Sequence, residues 1–384
     1  MQLELSEDER AFRDEMREFF TTKVSEEIRN RVAEGRELSK DQIVEAQRTL
    51  NESGFAVPRW PVEYGGQDWT EIQFHIWHEE MERACVPTPL AFNAGMIGPV
   101  IAHFGTEEQK EKFLPKTASL EIFWSQGFSE PDAGSDLASL RTTAVKDGDD
   151  WIVNGQKTWT TLGQYGDWIF TLVRTDPDAK KQAGISMLLI DMESEGLEVR
   201  PIQLIDGGHE VNEVWFDDVR VPGENLVGEL NGGWTIAKFL LGNERVGVAP
   251  SGISKRVIAR IKGLAEDRFE NDPLLRARIA ELENELLALE LTTMRVAANS
   301  TDGKPHPASS VLKLKGSELQ QAVSELVLDL AGPAGLASGA GDDSELDEWT
   351  RVAAPLYLNL RKASIYGGSN EVQRQIISRG ILGL

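Results

Sequence analysis

The chain has 384 residues, 40% of them hydrophobic, and carries a formal charge of −23 from 40 Lys+Arg against 63 Asp+Glu. This length supports several domains with substantial cores, and the apolar share excludes a disordered chain. The acidic excess argues against nucleic-acid partners and against an anionic membrane surface, both of which need clustered Lys and Arg.

The opening Met1-Gln2-Leu3-Glu4-Leu5 lacks the basic and apolar regions of a secretion signal, and no apolar run approaches the ~20 residues of a membrane span. Cys85 is the single cysteine, so no disulfide forms within the chain, which suits a cytoplasmic location. His75 and His78 lack further ligands at metal spacing, so no metal site is expected.

The first third has a helical pattern. Ser6 to Glu9 has the form of a capping box, and Phe12, Met16, Phe19 and Phe20 follow as one apolar stripe. A second helix is predicted from about Lys40 to Ser53. A Pro- and Gly-rich loop, Pro58–Gly66, leads to further helices from about Thr70 to Lys116.

Beyond Leu120, short strands are predicted at Thr142–Val145, Trp151–Val153, Trp168–Val173, Ile185–Ile190, Glu198–Ile202 and Glu213–Phe216. Asp147-Gly148 and Asn154-Gly155 give turn signals between them, which suggests a compact antiparallel sheet or barrel. From Gly232 helices return. Ile279, Leu282, Leu286, Leu289, Thr293 and Val296 form one bundle seam, and Leu319, Val323, Leu326 and Leu330 form another. A loop through Gly332–Asp343 precedes a last helix expected near Asp347.

Two segments stand out chemically. Gly127-Phe128-Ser129-Glu130-Pro131-Asp132-Ala133-Gly134-Ser135-Asp136 offers hydroxyl donors in a Pro- and Gly-shaped loop, which fits a polar ligand or a capped turn equally. Gly155-Gln156-Lys157-Thr158-Trp159-Thr160-Thr161 sets a large aromatic face between hydroxyls, although a lone Trp in a strand usually packs in a core or interface.

Together the two segments resemble the flavin-binding strands of the acyl-CoA dehydrogenase family, and Tyr366-Gly367-Gly368-Ser369-Asn370-Glu371-Val372-Gln373-Arg374 resembles its C-terminal signature. The resemblance implies an α+β multidomain chain: a helical domain over 1–120, a middle β-sheet or barrel domain over 121–230 and a C-terminal four-helix bundle over 231–384. It also implies FAD-dependent conversion of an acyl-CoA thioester to the 2-enoyl-CoA, with electrons leaving to an electron-transferring flavoprotein. In that reading Ser129 bonds the pyrimidine edge of the flavin, Trp159 stacks on its ring and Thr161 lies near N5. Gln126, Phe128, Gly134, Ser369 and Glu371 complete the cofactor contacts. Ser135 reaches the pantetheine or diphosphate, Asn243 and Arg245 line the substrate, and the backbone of Gly367 and Gly368 approaches the thioester.

Many members of the family carry their base as the Glu of a Tyr-Glu-Gly-Thr sequence, where this chain has Gly367. The family's alternative seat, on a helix of the C-terminal domain, matches Leu241-Gly242-Asn243-Glu244-Arg245, so the resemblance implies Glu244 as the base. The family's diphosphate-holding motifs are altered here. Arg268 lies in Asp267-Arg268-Phe269-Glu270-Asn271-Asp272, and Leu328-Asp329-Leu330-Ala331-Gly332 has neither the Gln nor the paired Gly. An Asp about 4 Å from a diphosphate costs ~4 kcal/mol per charge pair at an effective dielectric near 20. The resemblance implies a homotetramer or an α2β2 heterotetramer with a second family member, and the altered motifs point to the latter with two FAD, the chain alone being poor in flavin. Two other readings stay open: a flavin oxidase or monooxygenase on the same fold, and a non-catalytic partner subunit.

Overall fold

The computed structural model describes residues 5–247, 251–265, 271–299, 308–336 and 348–384. The helical layer comprises α1 (Glu7–Thr22), α2 (Glu26–Glu34), α3 (Lys40–Glu52), α4 (Glu71–Arg83), α5 (Gly98–Phe104) and α6 (Glu107–Ala118). Reciprocal capping boxes start α1 at Ser6/Glu9, α3 at Ser39/Gln42, α4 at Thr70/Gln73 and α6 at Thr106/Gln109. Each satisfies amides that the first turn leaves free.

The middle of the chain forms β1 (Trp124–Gly127), β2 (Thr143–Asp147), β3 (Asp150–Thr161), β4 (Trp168–Arg174), β5 (Ile185–Asp191), β6 (Leu197–Ile202), β7 (Val211–Val221) and β8 (Leu226–Val227). They make one eight-stranded sheet ordered β6-β7-β3-β2-β4-β5-β8, with β1 attached to β4. The helical and sheet classes agree with the expected architecture, but the sheet is not purely antiparallel: β1 and β2 both pair β4 in parallel. Strand β1 itself is missing from the predicted strands, because a run of four residues with Ser, Gln and Gly carries little β signal.

Asn154-Gly155 is not a turn. It lies inside β3, where two steps on β3 match three on β7, and Asn154 seals the irregularity by exchanging hydrogen bonds with Asp218 (Nδ2 to Oδ1 2.8 Å, Asp218 N to Asn154 Oδ1 2.9 Å). Gly155 is required there because a Cβ would lie 2.6 Å from Oγ1 of Thr142, the residue just before β2.

The third layer contains α7 (Gly233–Gly247), α8 (Ser251–Leu264), α9 (Pro273–Asn299), α10 (Ser309–Ala331), α11 (Glu348–Asn359) and α12 (Asn370–Ile377). The helix expected near Asp347 is thus followed by another, and the glycine signature lies at the N-terminus of α12.

Most predicted seam residues are buried: Ile279, Leu282, Leu286, Leu289 and Val296 of α9 pack with Leu319, Val323 and Leu326 of α10, while Thr293 and Leu330 are half-buried. One larger core ignores the division of the chain. It runs from Met16 and Phe20 of α1 through Phe170 and Leu189 of the sheet to Ile236 and Leu240 of α7. Helix α7, which carries Glu244, is thereby anchored against the sheet and the first helical layer. No helix among the described residues is long and apolar enough to cross a membrane.

Candidate active site

The two sequence segments meet, although they belong to different strand ladders. β1 pairs with β4, whereas β3 lies between β2 and β7. Direct bonds join them instead: Thr158 N donates to Ser129 O at 2.9 Å, and Lys157 Nζ donates to Phe128 O at 3.2 Å and to Glu130 Oε1 at 2.7 Å. Glu130 also accepts from the Arg141 and Thr142 amides at 2.6 and 2.9 Å, which closes the loop carrying Gly134 and Ser135. Lys157 is 0% exposed and Glu130 7%.

Burial pushes the Lys157 ammonium down to about 8 against the opposing pull of Glu130. Burial alone would raise the Glu130 carboxyl, but the Lys157 charge and the hydrogen bonds it receives hold it below the usual carboxylate range. Sequence reasoning missed this pair. Period-2 counting from the inward-facing Trp151 and Val153 puts residue 157 on the same buried side, and a lysine there demands a buried anion.

Immediately after Lys157 the strand bulges, three steps on β3 matching two on β7 between Lys157 and Thr160. Trp159 occupies the bulge with φ +60 and is 58% exposed. A left-handed bulky residue is strained and persists only where its surroundings impose it. The strain turns the indole out of the sheet. Thr161 and Ser129 flank it, both half-buried, and neither hydroxyl has a protein partner among the described residues. An exposed, rigidly held indole beside two available hydroxyls fits a flat heteroaromatic ring with polar edges.

The other predicted residues are less uniform. Gln126 is half-buried on β1, Gly134 and Ser135 are exposed, and the Phe128 ring lies in the core, 5.8 Å from Phe170 between centroids. At the C-terminal signature, Gly367 and Gly368 have φ of +63 and +84, a region favouring glycine. The Ser369 hydroxyl caps α12 by accepting from Val372 N at 3.4 Å. Glu371's own amide and the Ser369 hydroxyl lower its carboxyl pKa. Gln373 Nε2 donates to Gly368 O at 3.1 Å, and the buried Lys313 and Ser317 both donate to Asn370 Oδ1 at 3.1 Å.

Asn243, Glu244 and Arg245 have their backbone in α7, but their side chains lie outside the described residues, as does Arg268 altogether. Asp329 is engaged rather than free: its carboxylate accepts from Arg278 of α9 at 2.6 Å. The repulsion expected from an isolated Asp329 is offset accordingly. A surface groove of about 620 Å³, bordered by Gln156, Arg200 and Trp215, contains none of the predicted site residues. No cluster of three or more His, Cys, Asp or Glu that could hold a metal occurs among the described residues.

Three family profiles match in sequence: the acyl-CoA dehydrogenase N-terminal domain over residues 6–121, its middle domain over 125–219 and its C-terminal domain over 231–382. The acyl-CoA dehydrogenase IpdE1 of Mycobacterium tuberculosis is 38% identical over 355 residues, covering 89% of each chain. Among solved structures, the Tcur3481-Tcur3483 steroid ACAD superposes with a TM-score of 0.88 at 30% identity, covering 100% of this chain and 99% of that one. The ChsE4-ChsE5 complex from Mycobacterium tuberculosis gives a TM-score of 0.85 at 32% identity, with coverage of 100% and 99%.

Proposed function

The chain belongs to the acyl-CoA dehydrogenase family, and from that premise we propose that it binds FAD and forms the α,β double bond of an acyl-CoA thioester, with Glu244 as the base. The observation that carries the reading is the Ser129–Trp159–Thr161 cradle, in which a strained bulge presents an indole between two free hydroxyls. Trp159 would stack on the flavin ring, with Ser129 and Thr161 bonding its polar edges. FAD, when bound, supplies the acceptor for the hydride that leaves the β-carbon.

The remaining chemistry belongs to the chain. Glu244 takes the α-proton, whose low acidity requires a placed and partly desolvated carboxylate. Gly367 carries no side chain to compete for that space, and the amides near Gly367 and Gly368 suit hydrogen bonds to the thioester oxygen as negative charge develops there. Ser135, Asn243 and Arg245 are assigned to the CoA portion and the pocket wall. The steroid named for the Tcur3481-Tcur3483 neighbour supports a bulky polycyclic acyl group, and an electron-transferring flavoprotein is the proposed acceptor.

We propose assembly as a homotetramer or with a second family member. The exposed Leu287, Leu291 and Met294 along α9 and the heteromeric ChsE4-ChsE5 neighbour support it. The test is a panel of CoA thioesters, from straight-chain to steroid-derived, assayed with an artificial electron acceptor. Turnover of at least one thioester by the flavin-loaded protein is expected, strongest for polycyclic acyl groups. Absence of turnover across the panel would refute the reading.

A further inference from the structure

Two residues before Trp159, Lys157 forms a buried ion pair with Glu130 that the proposed reaction does not consume. We infer that Lys157 and Glu130 are positioning residues that set the ring cradle in its working arrangement before any ligand arrives. The inference rests on reading the cradle as a flavin seat and concerns what holds that seat in place.

The two halves of the cradle have no shared strand ladder to align them, since β1 pairs with β4 and β3 with β2 and β7. Among the described residues, the hydrogen bonds between them are those of Lys157 to Phe128 O and Glu130 Oε1 and the Thr158–Ser129 main-chain bond. Lys157, two residues before Trp159, thus ties Phe128 and Glu130, the two neighbours of Ser129, to the bulged strand. Through the Arg141 and Thr142 amides, Glu130 extends the same hold to the loop bearing Gly134 and Ser135.

A buried ion pair is not an economical way to fill a core. Desolvation offsets much of its attraction, and apolar side chains of similar volume often stabilise as well or better. What an apolar pair cannot do is aim: it would leave Phe128 O, the two amides and the bulge without fixed partners. The left-handed Trp159 needs such imposed surroundings. Arg174, on the neighbouring β4, braces the far side of the loop by donating to Ala138 O at 2.8 Å.

The test compares Lys157→Met with the double variant Glu130→Gln/Lys157→Met, which removes both charges at similar volume and guards against a fold lost to an unpaired carboxylate. In the full chain purified without added flavin, amide hydrogen exchange in segments 127–135 and 155–161 should accelerate at least about tenfold in the double variant, with α9 unchanged. FAD titration should show affinity lower by roughly 10²-fold, with an altered circular dichroism band of bound flavin, even where the melting midpoint returns toward wild type. Unchanged exchange in both segments, or wild-type affinity and band in a folded double variant, would overturn the inference. A wild-type chain that takes up FAD in no assembly would instead overturn the flavin reading, and the exchange measurement would still decide the positioning role.

Discussion

In the Ser129–Trp159 region, two strand segments are joined by a buried ion pair, a Lys157 bond to Phe128 O and one main-chain hydrogen bond. In the Tyr366–Glu371 region, two left-handed glycines lead into a short helix supported by Gln373, Asn370 and a buried lysine. The first arrangement cannot shift without separating charges in a dry core. The second can adjust by small backbone rotations at residues that tolerate them. A rigid seat for a flat ring and a pliable edge for a variable thioester are what the proposed reaction needs from each. A chain of contacts also runs between the two regions. Leu162 N, one residue beyond Thr161, donates to Glu210 O at 2.7 Å, and the Glu210 carboxylate pairs with Lys362 between α11 and the glycine signature.

The contrast can be broken at several places. The largest effect is expected from Lys157→Met, which leaves Glu130 buried without its cation and should cost about 3–5 kcal/mol in denaturant unfolding. Gly368→Ala should cost less, about 1–2 kcal/mol, because alanine is strained at φ +84 and its Cβ would lie 2.6 Å from Gln373 Nε2. Its KM for the thioester should rise while flavin content stays constant.

Trp159→Gly works in the opposite sense. Relief of the left-handed strain at a residue 58% exposed should leave the flavin-free protein as stable or more stable by about 1 kcal/mol. Flavin retention after dialysis should nevertheless fall. Loss of stability without loss of flavin would assign Trp159 to packing.

Acid titration sharpens the comparison further. The Glu130 carboxyl is held below its ordinary value of 4.5, so as pH falls the unfolded chain takes up that proton before the folded chain does. Stability present above that value is lost over the window that opens there and extends down through the folded pKa. The melting midpoint of wild type should therefore fall more steeply in that window than that of Glu130→Gln. The smallest effect is expected from Lys362→Met, under about 1 kcal/mol for a partly exposed pair, with faster hydrogen exchange around Glu210 as its signature.

How much of this was legible in the sequence depends on the physics of each element. The capping box of α1, the bundle seams and the order of the three layers follow from local pattern and survive in the structure. Strand β1 and the interior of β3 do not follow from pattern, because tertiary pairing overrides a short polar strand and turns an Asn-Gly signal into a bulge partner for Asp218. Trp159 was visible as a candidate only through the resemblance of its segment, and the left-handed backbone that exposes it is a product of strand register. Asp329 looked like a free charge until α9 brought Arg278 beside it, 51 positions earlier in the chain.

The central claim is that this chain removes the α-proton of an acyl-CoA thioester through Glu244. It is tested most directly by incubating the protein with a CoA thioester in D2O, without an electron acceptor, and counting deuterium at the α-carbon by mass spectrometry. Wild type should incorporate deuterium, and Glu244→Gln, with fold and flavin content intact, should do so more than about 10²-fold more slowly, because its amide cannot accept a proton at neutral pH. Equal incorporation by the two proteins would contradict the account and send the search for the base elsewhere in the pocket.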